Sequence, residues 1–196
     1  RSLETGDIAG VKFIYPVSSS SLIIYPEADS YVDSDNPTTN YGDSSFLYVR
    51  NAYDSAYKIS YLRFNLASIP SGMTIQSVVL QLYNDYLWTS TKIGIHYSSD
   101  ITWSESGITW NNKPVYESLS IGNQTVVIEN CRYVWDVTLI VQSHISDGKV
   151  TVVLETEETG GLFSTYFGSV NYGNTAMRPR LNVIYAPNRA ISLRTL

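Results

Sequence analysis

The chain has 196 residues, 43% hydrophobic and only 16% charged, with a formal charge of −5. That suits one domain of ordinary size with a full core, and the acidic balance argues against nucleic acid, whose binding proteins carry a basic footprint. The lone Cys131 cannot form an internal disulfide, and no apolar run approaches the length that spans a bilayer, which speaks against membrane insertion.

Taken from the N-terminus, Leu3 to Tyr15 reads as a short helix, with Thr5 as a cap and Ile8, Val11 and Tyr15 on one face. Pro16 stops it, and a serine run serves as a linker to about residue 20. From Ser21 onward the pattern is β, starting with "LIIYPEADSYV", which alternates around Pro26. "SFLYVRN", "ISYLRFNL" and "IQSVVLQLYN" alternate cleanly between apolar and polar, and "KIGIHYS", "QTVVIEN" and "RYVWDVT" follow. "KVTVVLETE", "STYFGSV" and "PRLNVIY" complete the set, each bounded by turn residues. The exception is "DVTLIVQSHIS", a short helix with Val137, Ile140 and Val141 on one stripe and Asp147-Gly148 as its stop. The residues after about 186 lack periodicity and read as a tail or linker. These strands predict an all-β antiparallel sandwich over residues 21–186 with one or two short helices.

Four features bear on chemistry. Between two strands, Asp29, Asp33, Asp35, Asn40 and Asp43 supply the carboxylate and amide oxygens that a structural calcium ion takes; the competing reading is that they bond to nearby backbone amides and order a turn. Trp103 and Trp110 could stack on sugar rings, but the Asn-Asn-Lys-Pro turn beside them favours a corner packed over the core. No nucleophile elbow, phosphate loop or paired His motif is present, so the chain reads as non-catalytic. Finally, if Leu47, Val49, Leu62, Phe64, Leu80 and Leu82 point inward, period two sends Tyr48, Arg50, Tyr61, Arg63 and Tyr83 outward, with His96 and Tyr166 joining them. Tyrosine beside arginine suits an acidic polysaccharide, the guanidinium forking a carboxylate and the ring covering sugar surface. The bland alternative is cross-strand pairing on a soluble face.

Several spaced motifs occur in a fixed order: "ADSYVDSDNPTTNYGDSSFLYVRN", "SYLRFNLASIPSGMTIQSVVLQLY", "DITWSESGITWNNKP", "YVWDVTLIVQSHISDG" and "VVLETEETGG" followed by "YFGSVNYGNTAMRPRLNVIY". Over residues 26–185 this series resembles the DNRLRE-domain family of bacterial and archaeal secreted and surface proteins, which includes archaeal disaggregatase-related proteins and carbohydrate-binding modules that bind alginate. The resemblance implies a jelly-roll sandwich and an extracellular or cell-surface setting. The family's terminal Arg-Glu run is replaced here by "FGSVNYGNTAMRPR". Upstream, "DIAGVKFIYP" resembles the last helix of matrixin metalloproteases without their zinc motif, which implies further domains in a larger precursor. The expected function is non-catalytic binding of an acidic polysaccharide; the alternative is a structural spacer or adhesion module without a sugar ligand.

Overall fold

A computed structural model describes residues 18–52 and 56–188. The helix expected over Leu3 to Tyr15, the matrixin-like segment and most of the C-terminal tail lie outside the described residues. Eleven strands are present in order: β1 (Ser20–Ile24), β2 (Pro26–Asp33), β3 (Phe46–Asn51), β4 (Lys58–Asn65), β5 (Met73–Leu87), β6 (Thr91–Ser98), β7 (Gly122–Val126), β8 (Cys131–Asp136), β9 (Lys149–Thr156), β10 (Phe163–Gly168) and β11 (Arg180–Pro187). Among the described residues one α-helix, α1 (Thr138–His144), falls within the expected segment, and Gly148 ends the 3-10 turn after it with φ of 74°, a left-handed conformation that glycine adopts without a Cβ clash.

All pairings are antiparallel and resolve into two layers. In the first, the long strand β5 pairs with β8 along one edge and with β11 and then β10 along the other; β1 and β3 lie outside these. The second runs β2, β4, β9, β6, β7. The layers join where Arg50 of β3 opposes Lys58 of β4. They join again at Tyr25, since Ile24 pairs with Leu181 in the first sheet and Pro26 pairs with Phe64 in the second. The result is a curled, all-β sandwich. Alternation explains its core: Leu47, Val49, Leu80, Leu82 and Phe167 from the first sheet meet Leu62, Phe64, Val152, Leu154 and Ile95 from the second, and every one is buried. Removing so many aliphatic side chains from water, at roughly 25 cal/mol per Å² of apolar area, is what holds the two sheets together.

Much of the outer face of the second sheet is covered. The connection from β6 to β7, residues 99–121, folds back over it and seats Trp103 and Ile108 against Ala28, Val32, Ile59, Tyr61 and Val153, forming a second core. Trp103 Nε1 donates to Thr151 Oγ1 (3.2 Å), and Tyr61 Oη donates to the Pro114 carbonyl (2.9 Å). Trp103 is therefore the packed corner that the Asn-Asn-Lys-Pro turn suggested, at 8% exposure.

Candidate functional site

The flap over the second sheet divides the six residues expected to form one outward patch. Tyr48 and Arg50 (β3) and Tyr83 (β5) lie on the outer face of the first sheet, half-buried and accessible. Tyr61, Arg63 and His96 point away from the main core, as period two requires, but onto the face that the flap covers. Tyr61 is fully buried and His96 nearly so. Arg63 pairs with Glu27 and donates to the Trp103 carbonyl, its guanidinium 5.1 Å from the Trp103 ring. His96 Nδ1 sits 2.9 Å from the Glu117 carbonyl, and Nε2 lies 3.4 Å from Glu157. Placing these three on a ligand face is thus a correction: Arg50 and Arg63 occupy different sheets and form no shared patch. Period two gives a side chain's direction, not what a distant loop lays over it.

An open face where the two sheets meet presents instead a run of tyrosines from four strands and one loop, with Tyr31 contributed by β2 of the second sheet. Tyr41 stacks on Tyr31 (centroids 4.2 Å apart), Tyr31 meets Tyr48 edge-on (5.8 Å), Tyr48 stacks on Tyr166 (4.1 Å), and Tyr166 lies 5.2 Å from Tyr86. The register makes this: β10 sits between β3 and β5, so Tyr166 opposes Tyr48 on one side and Tyr86 on the other. Aromatic cross-strand pairs stabilise the sheet and fix the ring orientations. Tyr31, Tyr48, Tyr86 and Tyr166 line a cleft of about 570 Å³, and an adjoining hollow of about 490 Å³ shares Tyr48, Tyr86 and Tyr166 and reaches Arg50 and Trp88, which is 63% exposed. A larger hollow of about 650 Å³ lies beside α1, but no aromatic or basic side chain lines it.

Cations border the cleft. Lys58 Nζ stands 5.1 Å from the Tyr48 centroid and 5.6 Å from that of Tyr31, while ion-paired to Asp33. Burial works against ionisation of Asp33, but bonds from Lys58, Asn36 and the Asp35 amide outweigh it and hold its carboxyl below the usual range. Arg50 lies 3.9 Å from Asp35. Burial, then neighbouring Tyr41 and Asp33, push the Tyr31 hydroxyl up; burial and the Tyr48 bond do the same for Tyr166. Both hydroxyls remain donors at neutral pH. Such a cleft offers apolar ring surface to sugar C–H groups, hydroxyls to sugar oxygens and cations to acidic substituents.

Tyr31, Tyr41, Tyr86, Trp88 and Lys58 escaped the sequence reading. The high tyrosine count was the available signal, but only the register shows which tyrosines adjoin.

The five oxygen donors of the opening loop do not gather round one point. Asp29 Oδ2 accepts the Val170 amide, Asp33 accepts from Asp35, Asn36 and Lys58, and Asp35 faces Arg50. Asn40 donates to the Glu105 and Ile108 carbonyls and accepts the Gly42 amide, tying this loop to the flap, while Asp43 is exposed. Gly42 itself passes so close to Glu105 that a Cβ would stand 2.4 Å from its carbonyl oxygen. Among the described residues, no group of three or more His, Cys, Asp or Glu side chains could hold a metal ion. In this arrangement the loop side chains are engaged in ordering the turn, the second of the two readings the sequence offered for these five. Melting curves in calcium and in chelator should coincide; a calcium-dependent rise would show that the loop rearranges around an ion bound only by the folded state.

The profile of carbohydrate-binding module family 96 matches residues 21–185. A 62-residue stretch, 31% of the chain, is 34% identical to a gellan lyase from a Bacillus species and covers 2% of that protein, so the chain spans only a small part of that relative's length.

Proposed function

The chain belongs to carbohydrate-binding module family 96, and from that premise we propose that its tyrosine cleft takes an acidic polysaccharide in a secreted or cell-surface protein with further domains. The module binds carbohydrate; the chemical class of the glycan and the face that holds it constitute the proposal. The observation that carries it is the unbroken run Tyr41, Tyr31, Tyr48, Tyr166, Tyr86 with Lys58 over two of its rings. Rings fixed by one another lose little entropy when they cover a sugar, and Lys58 and Arg50, although each faces an aspartate, line the hollows where an acidic substituent would meet their N–H donors. The similarity to a relative named for gellan, an acidic polysaccharide, points the same way.

Trp88 and Tyr86 are exposed aromatics here, as is Phe46, and neither Trp88 nor Tyr86 belongs to the buried core. Trp88→Ala and Tyr86→Ala should each weaken binding to a uronate-containing polymer about tenfold, the effect of losing an aromatic contact worth about 1.4 kcal/mol. Melting temperature should barely move. Affinity electrophoresis against acidic and neutral polysaccharides checks this. Unchanged mobility shifts in both variants, or equal retardation by neutral polymers, would overturn the assignment.

A further inference from the structure

The outer face of the first sheet continues beyond the cleft. Tyr172 lies 5.7 Å from Phe46 at the cleft and 6.5 Å from Tyr83, which opposes Arg132 across the β5–β8 pair. On the other side of β5, Arg180 opposes Gln81 and donates to its side-chain oxygen (2.8 Å). Gln81 and Tyr83 are two apart on β5, so their partners Arg180 and Arg132 flank β5 on one face, each within electrostatic reach of the other, with Tyr25 and Tyr83 near Arg132.

Among the described residues, the ion pairs recorded for Arg50, Lys58, Arg63 and Lys149 give each of them a carboxylate, whereas Arg132 and Arg180 have none. Arg132 Nη1 is buried without a hydrogen-bond partner. Burial and the like charge of Arg180 pull the Arg132 pKa down. Two adjoining, uncompensated cations are costly in a folded protein, the more so where one is partly desolvated. Asp85 accepts the Tyr172 hydroxyl and makes no ion pair with either arginine.

We infer that Arg132 and Arg180 form an anion subsite that takes a carboxylate of the bound glycan, with Tyr83 and Tyr25 flanking the sugar that carries it. The inference rests on the reading of this sheet as the glycan face. A guanidinium presents its donors in a planar fork that matches a carboxylate, so the subsite discriminates charged from neutral residues, while the cleft supplies ring contact. It lies on the same face as the cleft, so one polymer chain can engage both.

The test measures binding of a polyuronate and of the same polymer with its carboxyl groups reduced, using Arg132→Gln, Arg180→Gln, the double variant and Arg132→Lys. The double variant should lose about tenfold or more on the polyuronate, the size of a charge-assisted bond, with no loss on the reduced polymer and a flatter salt dependence. Arg132→Lys should recover part of the affinity through its charge, but not all. If the double variant binds the polyuronate as the parent does while Trp88→Ala weakens it, the subsite does not exist and the cleft stands. If the arginine variants lose affinity and the cleft variants do not, the subsite stands and the cleft assignment falls. Equal loss on both polymers would overturn the carboxylate role, and melting curves identify any variant that has simply failed to fold.

Discussion

Asp29→Asn should stabilise the protein by about 4 kcal/mol above pH 7. Asp29 is 1% exposed, and its Oδ1 has no partner. Burial pushes its carboxyl from 3.8 up to about 7; the Val170 amide and Arg178 oppose this, and the Glu105 carboxylate reinforces it. A carboxyl that holds its proton more tightly when folded makes stability fall as pH rises through the interval between its unfolded and folded values, here from about 4 to about 7. Three units at about 1.36 kcal/mol each give the stated magnitude. Asparagine can keep the bond from the Val170 amide and brings no charge. The carboxylates of Asp33, Asp100 and Asp136, all held low, give the opposite dependence at more acidic pH and are common to both proteins. Urea unfolding of parent and variant across this range isolates Asp29: the two should coincide near pH 4 and separate toward pH 7. A constant difference, or a less stable variant at pH 8, would refute the account.

Trp103→Ala should cost about 3–5 kcal/mol, the usual loss for truncating a buried tryptophan. Its ring lies 6.1 Å from Tyr61, and its indole N–H satisfies Thr151. Without it, the flap loses its main apolar anchor, and Arg63 loses the ring it lies over. Because Trp103 is in the flap over the second sheet and lines neither hollow of the tyrosine face, glycan affinity per folded molecule should be unchanged, whereas a sugar-stacking tryptophan would lose affinity with little change in stability. Trp103→Phe should recover much of the stability through its retained apolar volume. Denaturation curves read beside binding at a temperature where all variants are folded decide between the two roles.

These effects show why the two sheets differ so much in accessibility. Alternating residues in β3 and β4 are nearly interchangeable as sequence, "FLYVRN" against "SYLRFN". Yet Tyr48 lines an open cleft, and Tyr61 is sealed beneath the flap. The asparagine-rich loop contributes to that seal, since Asn40 and Asn111 link residues 37–40 to the flap.

The sequence by itself determined the strands, the inward set of aliphatic residues and the short helix before Asp147-Gly148, because these follow from period two, from period 3.6 and from turn chemistry, all local in the chain. It also marked Tyr48, Arg50 and Tyr83 as outward on a sheet that remains open. Only the tertiary structure decided that Tyr61, Arg63 and His96 are covered, that Asp33 serves Lys58, and that Tyr31, Tyr41, Tyr48, Tyr86 and Tyr166 adjoin. Those relations join residues tens of positions apart through strand order and a long connection. The physical reason they were hidden is that periodicity reports which way a side chain points from its own strand, while burial depends on what the rest of the chain lays against that face.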